Sequence, residues 1–169
     1  SGCDTLGKMG QYERLSAQDS SFVLWERRET QMHVGAVAIL EAGPLTAADG
    51  GIDATRVLEH VASRLHQLPR YRQRLAFTPI EAHPVWVGDA HFDLGYHVRR
   101  AALPRPGTDV ELKALVARIL SERLDRAKPL WEMWIVEGLE GGRFALVTKV
   151  HHCMVDGVSG MNLLTLLLS

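Results

Sequence analysis

The sequence has few of the features that mark secreted, membrane-spanning or nucleic-acid-binding proteins. Only two of its 169 residues are cysteines, Cys3 and Cys153, and this small number argues against a disulfide scaffold and favours a reducing, cytoplasmic setting. No apolar run approaches the roughly 20 residues that a membrane-spanning helix needs. The formal net charge is −1, from 19 basic and 20 acidic residues, so there is no general electrostatic reason to bind nucleic acid.

The two ends of the sequence differ from the rest. No signal-peptide pattern is present, and we interpret residues 1–8 as a cloning remnant or a loose terminus before Met9. The chain is 46% hydrophobic, so residues 9–169 can form one domain with its own core. The sequence stops at Ser169 within a leucine-rich helical pattern and without a helix cap. This ending predicts that the domain is one piece of a longer protein.

Local patterns predict a mixture of strands and helices. We expect strands over Met32–Glu41, Arg70–Phe77, Val85–Val87, Leu94–Arg100, Trp131–Leu139 and Arg143–His152. We expect helices from Ala54, capped by Asp53, to about Gln67, from the capping box Thr108-x-x-Glu111 onwards, and from Gly157 to Leu168. Gly141-Gly142 indicates a hairpin between the last two strands. Because hairpins alternate with crossover helices, the pattern predicts a two-layer α/β domain with a mixed sheet.

The segment His151-His152-Cys153-Met154-Val155-Asp156-Gly157 carries the clearest chemical signal. It follows an apolar strand and precedes a helix, and such a junction is a good place to present a reactive side chain. An imidazole titrates near neutrality and therefore suits base catalysis. A single histidine at a strand end is usually only a satisfied polar residue, but two of them followed by Asp-Gly favour a functional site.

Alternation along a strand sends the two histidine side chains to opposite faces. We therefore expect one imidazole to reach a reaction centre while the other packs or forms hydrogen bonds. The same divergence argues against Cys153 as a thiol nucleophile activated by His152. His151, His152 and Cys153 also lack the spacing of a zinc site, so no metal is predicted. Ser159 fails the nucleophile-elbow pattern because Met161 replaces its second glycine.

The HHxxxDG arrangement resembles the CoA-dependent acyltransferase superfamily. Together with Pro129-Leu130-Trp131 upstream, it resembles more closely the bacterial wax ester synthase/acyl-CoA:diacylglycerol acyltransferases. Further segments of similar character are Leu15-Ser16-Ala17-Gln18-Asp19, His33-Val34-Gly35, Phe92-Asp93-Leu94 and Leu139 to Gly142. The resemblance covers residues 9–169 and implies the N-terminal half of a chloramphenicol acetyltransferase-like fold, whose C-terminal half is not in this chain.

The resemblance also implies what each motif residue does. His152 would be the general base, His151 a supporting residue, Asp156 mainly structural and Gly157 the motif turn. Pro129, Leu130 and Trp131 would contribute to substrate binding. The implied reaction moves a fatty acyl group from acyl-CoA, a co-substrate rather than a bound cofactor, to diacylglycerol or a long-chain alcohol. The implied partners are these substrates, the C-terminal half of the same enzyme and, peripherally, the inner membrane or lipid inclusions.

Two alternatives remain open at this stage. The first is another HHxxxDG enzyme, such as a polyketide-ester acyltransferase or a condensation domain, whose acyl donor is bound to a carrier. The second is a non-catalytic half-domain that binds acyl groups or CoA. His152 and Asp156 argue against this second reading, because a degenerate site has no chemical need for them.

Overall fold

The computed structural model describes residues 13–25, 32–155 and 163–168. In chain order the strands are β1 (Glu13–Arg14), β2 (His33–Glu41), β3 (Gln73–Phe77), β4 (Pro84–Gly88), β5 (Val98–Ala102), β6 (Trp131–Leu139) and β7 (Arg143–His151). The helices are α1 (Ala17–Trp25), α2 (Ala54–Leu65), α3 (Leu94–His97), α4 (Asp109–Ser121) and α5 (Leu163–Leu168). None of the helices within these ranges is long and apolar enough to cross a membrane.

The strands form two separate sheets. The larger has the order β2-β7-β6-β5, in which β5 runs parallel to β6 and the other neighbours are antiparallel. The smaller has the order β1-β4-β3 and is antiparallel throughout. The mixed α/β class predicted from the sequence is thereby confirmed.

Alternation along β6 and β7 divides the apolar side chains between the two faces of the larger sheet. One face joins α2, α5 and the smaller sheet in the main core, to which β6 contributes Trp131, Met133 and Ile135. The opposite face packs on α4 through a smaller cluster that includes Val136, Ala145, Val147, Leu112 and Ile119. Trp131 and Trp134 lie on opposite faces, as their spacing predicts.

Three local predictions are confirmed by specific contacts. The Asp53 carboxylate caps α2 by accepting the backbone N–H of Arg56 at 3.2 Å. Thr108 and Glu111 form the predicted capping box at the start of α4. The β6–β7 hairpin turns at Gly141 and Gly142, whose φ angles of 77° and 67° lie in the region that favours glycine.

Three other predictions were wrong in part. The segment predicted as a strand from Arg70 begins as a 3-10 turn (Pro69–Arg72), because Pro69 starts the turn, and the strand begins only at Gln73. The strand predicted from Leu94 begins as α3, because the Asp93 carboxylate caps the backbone N–H of Gly95. The strand expected to include His152 ends at His151, and His152 starts a 3-10 turn instead.

β2 forms an edge of the larger sheet and is held in register by close packing. His33 pairs with His151 and Glu41 with Arg143. A Cβ atom on Gly35 would lie 2.5 Å from a methyl carbon of Leu120 on α4, so only glycine fits there without movement of the leucine. Val34, Val37 and Ile39 of the same strand are each more than 40% exposed.

Candidate active site

The two motif histidines are fixed through their backbones by the strands on either side. The N–H of His151 donates to the carbonyl of Leu130 at 3.0 Å, immediately before β6. The N–H of His152 donates to the carbonyl of Met32 at 2.7 Å, immediately before β2. The end of β7 is therefore held between two neighbours, which fixes the backbone positions from which both imidazoles project.

The two side chains diverge as predicted, but His151 ends the strand and His152 begins a turn, so the divergence is not simple alternation along one strand. His151 is 1% exposed, and its Nδ1 atom accepts the backbone N–H of Cys153 at 3.1 Å. An imidazole that accepts at Nδ1 carries its proton on Nε2 when neutral. His151 thus serves as the cap of the following 3-10 turn and helps to set the position of His152.

His152 is exposed and is the member of the pair that a substrate can reach. Its ring stacks on the ring of Phe22, with centroids 5.0 Å apart and planes inclined by 21°. Phe22 belongs to α1, a helix that the sequence reading did not predict. The Ser16-x-x-Asp19 pattern before an apolar run is a sequence feature that could have predicted this helix, because such a pattern is typical of a helix start. In the structure these two residues form the expected capping hydrogen bonds.

The Pro129-Leu130-Trp131 motif lies beside the histidines but is enclosed by the core. The side chains of Leu130 and Trp131 are fully buried. The Trp131 indole N–H donates to the carbonyl of Tyr71 at 2.8 Å, and its ring stacks on His97 with centroids 4.6 Å apart. The motif therefore supports the histidine strand through the Leu130 carbonyl, and its predicted contact with substrate stays a prediction.

His97 completes this aromatic cluster in its neutral form. Burial lowers the pKa of the imidazole, and a hydrogen bond of 2.7 Å to the carbonyl of Trp131 opposes that shift in part. Phe92 and Tyr96 also contact the His97 ring. These contacts give His97 a structural role in the core.

On the opposite face, a buried lysine ties β7 to the end of α4. The Lys149 ammonium donates to the carbonyls of Ile119 and Glu122 at 2.8 and 2.9 Å, and lies 3.6 Å from the Glu132 carboxylate. Burial lowers the pKa of Lys149, and Glu132 counteracts this effect. The ring of His33 contacts the carbonyl of Leu120 at the same helix end. Lys149 was not predicted from the sequence, because the carbonyl groups that it binds lie about 30 residues away, at the end of another element.

Asp156 and Gly157, the remaining motif residues, lie outside the described residues, as does Ser159. Their predicted roles stay predictions. Within the ranges that the structure describes, the site therefore consists of the two histidines, Phe22, and the backbone anchors at Met32 and Leu130.

Comparison with known structures finds the fold of this chain in two kinds of protein. The starter condensation domain of rhizomide synthetase shares the fold with a TM-score of 0.65, at 12% identity, over 88% of this chain and 35% of that one. The wax ester synthase/diacylglycerol acyltransferase of Marinobacter aquaeolei VT8 matches with a TM-score of 0.70 and 36% identity, over 88% of this chain and 36% of that one.

The sequence comparisons are more specific. Residues 15–169 match the model of the wax ester synthase/diacylglycerol acyltransferase catalytic domain, and the chain belongs to that family. A probable diacylglycerol O-acyltransferase of Mycobacterium tuberculosis is 46% identical over 149 residues, which cover 88% of this chain and 53% of the relative. A second from the same species is 42% identical, over 89% of this chain and 32% of the relative. The chain thus spans between a third and about half of the length of these relatives.

Proposed function

We propose that this chain is the histidine-bearing N-terminal half of an O-acyltransferase that moves a fatty acyl group from acyl-CoA to a hydroxyl group. The acceptor is diacylglycerol, a long-chain alcohol, or both. One observation carries the proposal. The structure buries His151 and engages its Nδ1 atom, while His152 at the same strand end stays accessible to a substrate.

The chemistry requires one proton acceptor and one acyl donor. His152 takes the proton of the acceptor hydroxyl while its oxygen attacks the carbonyl carbon of the thioester. The tetrahedral intermediate collapses with cleavage of the carbon–sulfur bond, and the imidazolium returns the proton to the departing CoA sulfur. The products are the ester and free CoA, and His152 ends in its starting form. No acyl-enzyme intermediate and no metal ion enter this scheme.

The proposed site includes the other motif residues in supporting roles. His151 fixes the turn that carries His152. Asp156 is a structural carboxylate and Gly157 permits the turn, as the family resemblance implies. Pro129, Leu130 and Trp131 contribute to the substrate site, at least through the hydrogen bond between Leu130 and His151. Acyl-CoA is the co-substrate.

The family relationship favours this function over the alternatives. The match to condensation domains is one of fold alone, at 12% identity, whereas the acyltransferase relatives reach 36 to 46%. A carrier-bound donor is therefore not the favoured reading. A non-catalytic binding domain would have no need for an accessible His152 beside a buried His151 whose Nδ1 atom holds the turn.

We also propose two partners that the chain needs in the cell. The first is the C-terminal half that the relatives carry, which would form the other wall of a tunnel with His152 near its middle and so hold both substrates together. The second is a lipid surface, either the inner membrane or a lipid inclusion, contacted peripherally from the cytoplasm. The reason is chemical, because both candidate acceptors are lipids.

The central test is an assay of the assembled enzyme, meaning this chain together with its C-terminal half. Free CoA is measured with acyl-CoA and either diacylglycerol or a long-chain alcohol. His152→Ala should lower kcat by about 10²- to 10⁴-fold, the usual contribution of a general base. His91→Ala, at an exposed histidine that is not one of the site residues, is the matched control and should retain full activity. Near wild-type turnover of the His152 variant would overturn the assignment.

The requirement for the C-terminal half is tested separately. This chain alone should release no CoA above the uncatalysed rate, and co-expression with the C-terminal half should restore release and give a complex by affinity pull-down. A monomeric and fully active 169-residue chain would contradict the two-half proposal.

A further inference from the structure

The helix that carries Phe22 is capped at its start and anchored to the rest of the protein near its end. At its start, the Ser16 hydroxyl accepts the Asp19 N–H at 3.1 Å and donates to the Asp19 carboxylate at 2.7 Å. Near its end, the Arg126 guanidinium donates to the carbonyl of Val23 at 2.8 Å. Val23 itself is 2% exposed in the main core. α1 is therefore a fixed platform for the residues that project from it.

His152 is equally constrained at its backbone, by the hydrogen bond to the Met32 carbonyl, but its side chain is exposed. Its ring stacks on the ring of Phe22, with centroids 5.0 Å apart and planes inclined by 21°. An exposed imidazole without such a contact samples several rotamers, whereas an aromatic face against one side of the ring restricts it. The orientation of His152 thus depends on a residue 130 positions earlier in the chain.

We propose that Phe22 is a positioning residue for the acyl transfer, which holds the ring plane of His152 toward the acceptor hydroxyl. This inference rests on the proposed function of His152 as the general base. Phe22 contributes a second effect during the reaction. When His152 takes the hydroxyl proton it becomes a cation, and the face of an aromatic ring attracts a cation. The stack therefore favours the charged state that forms on the way to the transition state.

Both effects act on the chemical step rather than on substrate binding. A cation over an aromatic face at an exposed site is worth a factor of roughly 2 to 5, and misplacement of a reacting group by about 1 Å costs up to about 100-fold. We expect Phe22→Leu, which keeps an apolar side chain but removes the ring, to lower kcat by about 5- to 50-fold. The KM for acyl-CoA should stay within about twofold of the parent value, because the variant loses no interaction that binds the ground state and the transition state equally. Phe22→Tyr, which keeps the ring, should restore most of kcat.

The controls separate positioning from stability. Phe77→Leu removes a half-exposed phenylalanine on β3 and should leave kcat unchanged. The double variant Phe22→Leu/His152→Ala should be no slower than His152→Ala alone, because Phe22 acts through the imidazole. Diethylpyrocarbonate modification of His152 gives a further readout, measured by peptide mass spectrometry with exposed His91 as the internal reference. His152 should be modified faster in Phe22→Leu than in the parent enzyme.

The experiment is performed in the assembled enzyme, and each variant is first compared by its melting temperature. If Phe22→Leu does not fold, Phe22→Met, an unbranched residue that fills gaps in cores, replaces it in the comparison with Phe22→Tyr. An unchanged kcat in the ring-free variant, or an equal slowing of the His152→Ala background, would overturn the positioning role. If His152→Ala itself retains wild-type turnover, the proposed function fails instead, so the two failures are distinguishable.

Discussion

The backbone N–H of His151 donates to the carbonyl of Leu130 across 3.0 Å, and this bond joins the two motifs whose combination carries the family resemblance. Pro129-Leu130-Trp131 leads into β6, which begins at Trp131. His151 is the last residue of β7, the antiparallel neighbour of β6, and His152 follows it in the turn. The position of His152, the proposed general base, therefore depends in part on how firmly Trp131 is held in the core.

Trp131→Phe tests that dependence. The change keeps an aromatic ring beside His97 but removes the indole donor and leaves the Tyr71 carbonyl unsatisfied. We expect a loss of about 1–3 kcal/mol in the free energy of unfolding, measured by denaturant titration, because a buried acceptor loses its partner. The KM for both substrates should be unchanged. A raised KM without loss of stability would show instead that Trp131 contacts the substrate.

His151→Ala should reduce the chemical rate less than His152→Ala does. His151 is buried and acts through its hydrogen bond to the Cys153 N–H, so its removal loosens the turn rather than eliminating the proton acceptor. His151→Asn, which can place an amide oxygen near the Nδ1 position, should recover part of the loss. Single-turnover rates of the variants in the assembled enzyme are the measurement. A greater chemical defect at His151 than at His152 would reverse the two roles.

Lys149→Met should be one of the most destabilising substitutions in β7. It leaves the Ile119 and Glu122 carbonyls without a donor and the buried Glu132 carboxylate without one of its cations. Loss of one partner of a buried ion pair costs roughly 3–5 kcal/mol. Lys113→Met, at an exposed position of α4, is the matched control and should change stability by less than about 0.5 kcal/mol. Chemical denaturation of both variants provides the comparison, and equal midpoints would contradict this account of Lys149.

Stability should fall in mild acid because of His97. Burial lowers the pKa of this imidazole from its usual 6.5, so the unfolded chain binds the proton more readily than the folded one. The stability that neutral His97 contributes is fully present above pH 6.5. It is lost as the pH falls from there toward the lower pKa that His97 has in the folded state. His97→Asn, which keeps a donor for the Trp131 carbonyl, should be less stable at neutral pH but should flatten this dependence. His91→Asn should leave the slope as it is in the parent chain, and melting temperatures between pH 5 and 8 decide the matter.

The elements that the sequence predicted well are those whose determinants are local. The cap at Asp53, the capping box of Thr108 and Glu111, and the glycine hairpin between β6 and β7 each depend on residues a few positions apart. The starts of β3 and β5 were misplaced because a proline and an aspartate cap imposed short helical turns on segments predicted as strands. Local rules compete in such segments, and the tertiary setting decides between them.

The candidate site shows the same division. Alternation at a strand end, a local property, predicted that the two imidazoles diverge, and the family resemblance pointed to His152 as the accessible one. The motif could not predict Phe22 or Lys149 as neighbours, because those contacts join α1 to a turn 130 residues later and β7 to the end of α4. Contacts of that range follow from packing and not from spacing in the sequence.

The edge position of β2 has a consequence for biosynthesis. Within the described ranges β7 is the one neighbour of β2, and Val37 of β2 pairs with Val147 of β7. Because β2 comes about 100 residues earlier in the chain, it leaves the ribosome long before β7 is synthesised. At typical elongation rates the intervening stretch of about 100 residues takes roughly 5–20 s to synthesise. Throughout that interval Val34, Val37 and Ile39 belong to an unpaired, β-branched segment that can associate with other nascent chains. The yield of the folded protein should therefore depend, through β2, on translation speed and on chaperones that bind nascent chains, before the turn that carries His152 has been translated.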